Sequence, residues 1–259
     1  MTPADIIRQG PAIVTGAGSG LGRALAHKLA AQGIAVALIG RKDATLAETA
    51  SANPDKLFPF VSDVANAEQT HSVIKQIAET LGAPRILINN AAIYPRRDTL
   101  DMPSDAFMET MGVNLGGVVH TTQATLPFMI KDGIGRILNV ATFADMTPLP
   151  MSSEYSVSKG AARIYTRALI ADIGDRFPDI VVGDWMPGML ATQMGIEDGL
   201  APDVAAGWGA ALALMHDPAL TGTTFEMERE ILGGSGLKRK LKALLTLSRP
   251  QQPRQITPI

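Results

Sequence analysis

Seven short runs, apolar almost throughout and rich in β-branched residues, recur along this chain at 12–15, 34–39, 57–61, 86–89, 136–141, 180–185 and 223–227. Helical patterns at 20–32, 44–52, 67–81, 104–130, 153–177 and 202–215 separate them. A strand with one wet face alternates polar and apolar residues, whereas a strand covered on both faces does not. The runs therefore predict an α/β chain with a parallel sheet between two layers of helices.

No composition shift or polar linker divides this alternation, so residues 1–234 are expected to form a single domain. Residues 235–259 form a basic tail in which Leu237, Leu241, Leu244 and Leu245 share one helical face, while Lys238, Arg239, Lys240 and Lys242 crowd the rest. This tail reads as a subunit-packing arm. A lone short segment of this kind holds a membrane surface only weakly.

Charge and composition remove several function classes. With 23 basic against 25 acidic side chains, the chain has no cationic excess for a phosphate backbone, so no nucleic-acid partner is expected. It contains no cysteine, and its four histidines show no ligand spacing, so no metal site is expected. The charge-free stretch 111–130 carries Asn114, His120 and Gln123, which argues against stable membrane insertion. The first residues lack the basic and apolar regions of a secretory leader, and a cytoplasmic location is expected.

The first run leads into Thr15-Gly16-Ala17-Gly18-Ser19-Gly20-Leu21-Gly22 and then a helix. Glycines at a strand-to-helix turn let backbone approach a pyrophosphate at a helix N-terminus. The spacing is GxxxGxG rather than GxGxxG, and no GK[ST] follows, which disfavours a P-loop. The second run ends in Gly40-Arg41-Lys42, with no carboxylate in the turn. A guanidinium there suits a 2′-phosphate, so NADP(H) is preferred, with NAD(H) as the lesser possibility. Arg41 and Lys42 also suit a solvated loop, and Asp43 suits the cap of the next helix.

Tyr155 and Lys159 are four residues apart at the start of a long helical pattern, which puts them on one face. A phenol titrates near 10, and an adjacent ammonium favours its ionised form. The pair is a candidate general acid/base, although a YxxxK spacing alone equally describes an ordinary surface pair.

Taken together and in this order, the glycine turn, Asn89-Asn90-Ala91-Ala92, Asn114, Tyr155 to Lys159 and Pro187-Gly188 resemble the short-chain dehydrogenase/reductase family over nearly the whole domain. The resemblance implies a Rossmann-type, doubly wound, seven-stranded parallel sheet with helices on both faces. It also implies hydride transfer between NAD(P) and an alcohol or carbonyl. In that light Gly16, Ser19, Gly20, Leu21 and Gly22 form the pyrophosphate turn, and Asp63 with Val64 lies beside adenine. Asn90 and Ala91 flank the ribose, and Pro187, Gly188 and Thr192 lie beside the carboxamide. Lys159 reaches the nicotinamide ribose, Tyr155 also borders the cofactor, and Asn114 interrupts its helix to hold a water linked to the lysine. Asp63 suits a turn equally well, and Asn114 suits a polar position in a buried helix. Ala92 stands where the family has glycine, which is costly only if the backbone there needs positive φ.

Counting 13 positions back from Tyr155, where the family carries serine, reaches Thr142. Threonine keeps the hydroxyl donor but adds a methyl that restricts χ1 and takes room from substrate. The expected reaction is reduction of a ketone or ketoacyl carbonyl, with Tyr155 and Thr142 holding the oxygen, Tyr155 giving the proton, and Lys159 and Asn114 supporting it. Arg96 and Arg97, after the NNAA segment, are within reach of an anionic substrate or are simply solvated. A dinucleotide-binding regulator with weak or no catalysis is the competing reading, motivated by Thr142 and Ala92. The long patterns 104–130 and 153–177 are the faces through which the resemblance implies a homodimer or homotetramer.

Overall fold

Each central strand divides its side chains between two cores, which is why the runs are apolar on both faces. Val14, Leu38, Ile88, Leu138 and Trp185 join one cluster, and Ile13, Ile39, Leu87, Ile137 and Val182 the other. The computed structural model describes residues 3–232 and 252–259. In chain order these form α1 (Pro3–Gln9), β1 (Ala12–Thr15), α2 (Gly20–Ala31), β2 (Val36–Gly40), α3 (Asp43–Ala50), β3 (Leu57–Val61), α4 (Ala67–Leu81) and β4 (Ile86–Asn89). Then come α5 (Ser104–Met111), a π-helical turn (Gly112–Gly116), α6 (Gly117–Asp132), β5 (Gly135–Val140) and α7 (Ser153–Ile173). The described elements end with β6 (Ile180–Met186), α8 (Pro202–Leu214), β7 (Thr224–Glu226) and β8 (Arg229–Ile231).

The sheet order is β3-β2-β1-β4-β5-β6-β7-β8. Seven strands run parallel as expected, but β8 is an eighth and pairs antiparallel with β7. The seven-strand expectation is corrected here. β8 has only three residues, Arg229 and Ile231 face solvent, and Glu230 is buried, so no apolar run marks it. Residues 252–259 return to this edge: Arg254 accepts from the Glu230 N–H at 3.0 Å, and the Ile256 N–H donates to Glu228 at 2.8 Å. Ile256 is buried in the core, and Arg254 pairs with Glu230. The leucine and lysine face of the tail lies outside the described residues. At the opposite edge, Pro59 of β3 stands opposite Leu38.

Helix α1 was not expected; it is anchored by the fully buried Ile7. The pattern expected as one helix at 104–130 is continuous in direction but passes through the π-helical turn, where one extra residue is accommodated. Asn114 sits at the centre of that turn, fully buried.

A buried polar ladder crosses the middle of the sheet. Thr121 donates to Asn89 at 2.6 Å, Asn89 to Asn139 at 2.8 Å, Asn139 to Thr166 at 2.9 Å, and Thr166 to the Asp184 carboxyl at 2.8 Å. It fixes β4, β5 and β6 relative to α6 and α7, with each polar group partnered.

Candidate active site

Strand order reverses direction between β1 and β4, and the sequence-predicted residues gather at the carboxyl ends of these strands and their neighbours, where such sheets form a crevice. The glycine turn leaves β1, the NNAA segment leaves β4, Thr142 follows β5, and Pro187-Gly188 follows β6.

Thr15 ties the first two together. Its hydroxyl accepts from the Asn90 and Ala91 N–H groups at 3.0 and 2.9 Å, while the Asn90 amide donates back to the Thr15 carbonyl at 2.9 Å. The approach is close enough to require glycine: a Cβ on Gly22 would stand 2.1 Å from the Gly16 carbonyl, and Gly16 itself has φ +66°. Ser19 is exposed and extended at the start of α2, and its hydroxyl makes no cap bond, so no side chain occupies the helix N-terminus there. Leu21 is buried in the core, which leaves its backbone as its only means of contact with a ligand. Arg23, unmarked in the sequence reading, donates to the Gly18 carbonyl at 2.7 Å and forks onto Glu48 at 2.7 and 2.8 Å. It pins the turn to α3.

Arg41 and Lys42 follow β2, are exposed, and have no ion pair among the described residues. Asp43 is the first helical residue of α3 rather than its cap; Lys42 holds the cap position without a side-chain bond. Asp63 forms a turn, one carboxylate oxygen accepting from the Ala65 N–H at 3.0 Å, while Val64 is buried and its carbonyl bonds to His120 at 2.9 Å. Ala92 is not among the positive-φ residues, so its methyl replaces a glycine hydrogen without backbone strain.

The loop after Gly188, which has φ +86°, closes on itself through the Leu190 and Leu200 bridge. Its Thr192 accepts from the Gly195 N–H at 3.1 Å and lies so near the glycine turn that a Cβ on Gly20 would be 3.3 Å from its methyl. The glycine turn and the loop after Gly188 thus approach one another across the crevice.

The chemistry-bearing groups stand on α7 and the turn before it. Lys159 is 4% exposed and donates to the Val140 carbonyl at 2.8 Å. Burial pulls its ammonium down to about 8, and the Asp184 charge works against that fall. Tyr155 is pushed up to about 12, by burial first, against a hydrogen bond with Thr142; the charges of Tyr94 and Asp145 raise it further. Lys159 is not among these influences. Thr142 also accepts from the Ala144 N–H at 3.2 Å, capping the short 3-10 turn Phe143–Asp145. That turn is bound to α7 by an Asp145–Arg163 ion pair at 2.7 Å.

Asn114 spans the gap between β4's exit and α7. It exchanges hydrogen bonds with both backbone groups of Ile93 and donates to Ser158 at 3.0 Å. Tyr94, which no motif marked, stacks on Tyr155 with ring centroids 4.3 Å apart and planes 24° from parallel. Its only sequence signal is its place just beyond the NNAA segment.

The crevice fits a dinucleotide. It offers an uncapped helix start beside glycines and, after β2, two exposed cations without an ion pair among the described residues, and the Lys159 ammonium retains donors beyond its bond to Val140. Among the described residues no group of three His, Asp or Glu is placed to hold a metal, and no helix is long and apolar enough to cross a membrane.

Residues 11–201 match the family model for short chain dehydrogenases. The chain is 35% identical over 190 residues to a 2-(R)-hydroxypropyl-CoM dehydrogenase of Xanthobacter autotrophicus, a match covering 71% of this chain and 75% of that one. It is 35% identical over 164 residues to a probable oxidoreductase EphD of Mycobacterium tuberculosis, covering 62% of this chain but only 28% of the mycobacterial protein. An uncharacterized oxidoreductase of Staphylococcus saprophyticus is 32% identical over 190 residues, covering 71% and 79%.

Proposed function

The chain belongs to the short-chain dehydrogenase family, and from that premise we propose that it is an NADP(H)-dependent oxidoreductase that reduces a ketone or ketoacyl carbonyl to its alcohol. The observation that carries this reading is the convergence of three groups: the Thr142 hydroxyl acts on the Tyr155 phenol, and Lys159, one helical turn further along α7, donates to the carbonyl of Val140 two residues before Thr142. When bound, the nicotinamide cofactor supplies the hydride, so that ketone, NADPH and a proton become alcohol and NADP⁺.

Tyr155, protonated at neutral pH, donates its proton to the oxygen of the carbonyl as that oxygen gains charge. Thr142 donates a second hydrogen bond to the same oxygen. Donors aimed at charge that develops only in the transition state lower the barrier more than they tighten substrate binding. Lys159 holds its charge beside the crevice, and Asn114 fixes the segment that carries Tyr94 against α7. Arg41 and Lys42 favour the 2′-phosphate, with NAD(H) as the weaker ligand.

The natural partner is a small carbonyl or alcohol compound, with no nucleic acid. The exposed Val157 and Ile164 on α7 and Met108 on α5 support a homodimer or homotetramer, and a cytoplasmic location is part of this reading. The domain is taken to run through residue 234, with residues 252–259 of the tail folded back onto its edge and core.

The test is oxidation of NADPH and of NADH by the purified chain over a panel of ketones, diketones and ketoacyl thioesters, with Tyr155→Phe as control. Loss of the tyrosine hydroxyl should lower kcat about a hundredfold or more while cofactor affinity stays within about twofold. Tight NADPH binding with no turnover on any member would instead favour the regulatory reading.

A further inference from the structure

Arg96 and Arg97 are adjacent in sequence, yet their charges meet opposite surroundings. Arg97 reaches both oxygens of Glu154 at 3.3 and 3.2 Å, and Glu154, 1% exposed, also accepts from Thr110 at 2.7 Å. That charge is neutralised by a buried carboxylate, and the pair fastens the segment to α5 and α7.

Arg96 is exposed and is held by neutral groups alone. One terminal nitrogen donates to the Gly195 carbonyl at 3.1 Å, and its guanidinium carbon lies 5.6 Å from the centre of the Tyr94 ring. No ion pair is made by Arg96 among the described residues. Tyr94 in turn stacks on Tyr155. Two contacts, cation on ring and ring on ring, therefore separate an uncompensated guanidinium from the acid/base phenol.

A guanidinium has five donors, and the Gly195 carbonyl takes one, which leaves paired N–H groups able to receive a carboxylate fork. Lying on a tyrosine face and bonded to Gly195, which stands between the exposed Met194 and Ile196, it has part of its surface covered by protein, which strengthens an ion pair formed there.

We propose that Arg96 is the anion-recognising residue of the substrate site, and that the carbonyl compound carries a carboxylate or similar anion a few bonds from its reacting carbon. This rests on the reading of Tyr155 as acid/base given above. An arginine that merely straps two loops together would affect charged and neutral substrates alike, whereas a recognition residue separates them.

The experiment uses NADPH oxidation with acetoacetate and levulinate, each against its own methyl ester, on the wild-type chain, Arg96→Gln, Arg96→Lys and Tyr155→Phe. The expected result is a kcat/KM for the better acid about tenfold or more above that for its ester. Arg96→Gln should collapse that ratio to within about threefold, through KM, and Arg96→Lys should restore part of it, because it keeps the charge without the fork. Equal use of acid and ester by the wild type, or a parallel loss on both in Arg96→Gln, overturns the proposal while the oxidoreductase reading stands. If acids and esters alike are reduced no faster by the wild type than by Tyr155→Phe, the acid/base reading fails and takes this proposal with it.

Discussion

The side chain of Asn114 satisfies both backbone polar groups of Ile93, its amide donating to the carbonyl at 2.9 Å and its oxygen accepting from the N–H at 2.8 Å. It acts as a short piece of extra backbone that copies a strand pairing where no strand is present. Asn114→Ala leaves both groups and the Ser158 hydroxyl short of a partner, and should cost about 1–3 kcal/mol of stability. Because the freed segment carries Tyr94, kcat should fall with it. Denaturant unfolding followed by fluorescence, beside NADPH turnover, checks both; an unchanged midpoint would show that the bridge holds nothing.

Thr142 combines a cap on the Phe143–Asp145 turn with an influence on the Tyr155 phenol, whose ionised form its hydroxyl favours. Thr142→Ser keeps both and should leave kcat within about threefold, with bulkier ketones gaining as the methyl goes. Thr142→Ala loses both, and kcat should drop about a hundredfold with about 1 kcal/mol of stability. Intact turnover in the alanine variant removes Thr142 from the reacting centre.

Burial lifts the Asp184 carboxyl to about 6, against the Thr166 hydrogen bond and the charges of Arg163 and Arg167. In the unfolded chain it titrates near its ordinary value of about 4. Between these values the folded chain holds more protons, so this group's contribution to stability is greatest at low pH, declines through that window and stays low above it. Asp184→Asn retains an oxygen for Thr166, and should melt several degrees above the wild type at about pH 7.5 while converging with it only at about pH 3, below the unfolded value. The same change removes the carboxylate that supports the Lys159 charge, so the alkaline limb of kcat should move to lower pH. A melting difference independent of pH would show that Asp184 does not ionise in this window.

Among the described residues no carboxylate neutralises Arg41. Arg41→Ala should raise the KM for NADPH about tenfold and leave that for NADH nearly unchanged, as measured by initial rates with either cofactor. Equal shifts for both would assign Arg41 to the loop rather than to the phosphate.

Much of the fold was legible because the seven parallel strands are buried on both faces, and that condition leaves a dense apolar mark. β8 left none, since an edge strand reading Arg229-Glu230-Ile231 owes its existence to pairing with β7 and with Arg254, not to its own residues. The π-helical turn was invisible for another reason. It keeps helical direction, so the periodicity of 104–130 passes through it unbroken, although Asn114 itself was marked. At the site, motif spacing located the groups that lie along one element, such as Tyr155 and Lys159. It could not locate Tyr94, Glu154 or Asp184, whose importance arises only where β4's exit, α5 and β6 meet α7 in space.

Pro59 bears on how copies of this chain can meet. Val36 donates to the Lys56 carbonyl and Ser62 donates to that of Gly40, so the even-numbered residues of β3 turn their amides toward β2. By the two-residue period, Pro59 belongs to the set that faces outward, and proline has no N–H to offer there. The outward row of donors is interrupted at its centre, and any strand trying to extend the sheet would meet a gap in place of a hydrogen bond. With the far edge already met by Arg254 and Ile256, growth by strand addition, the usual route from a β edge to aggregation, is disfavoured at both ends of the sheet among the described residues.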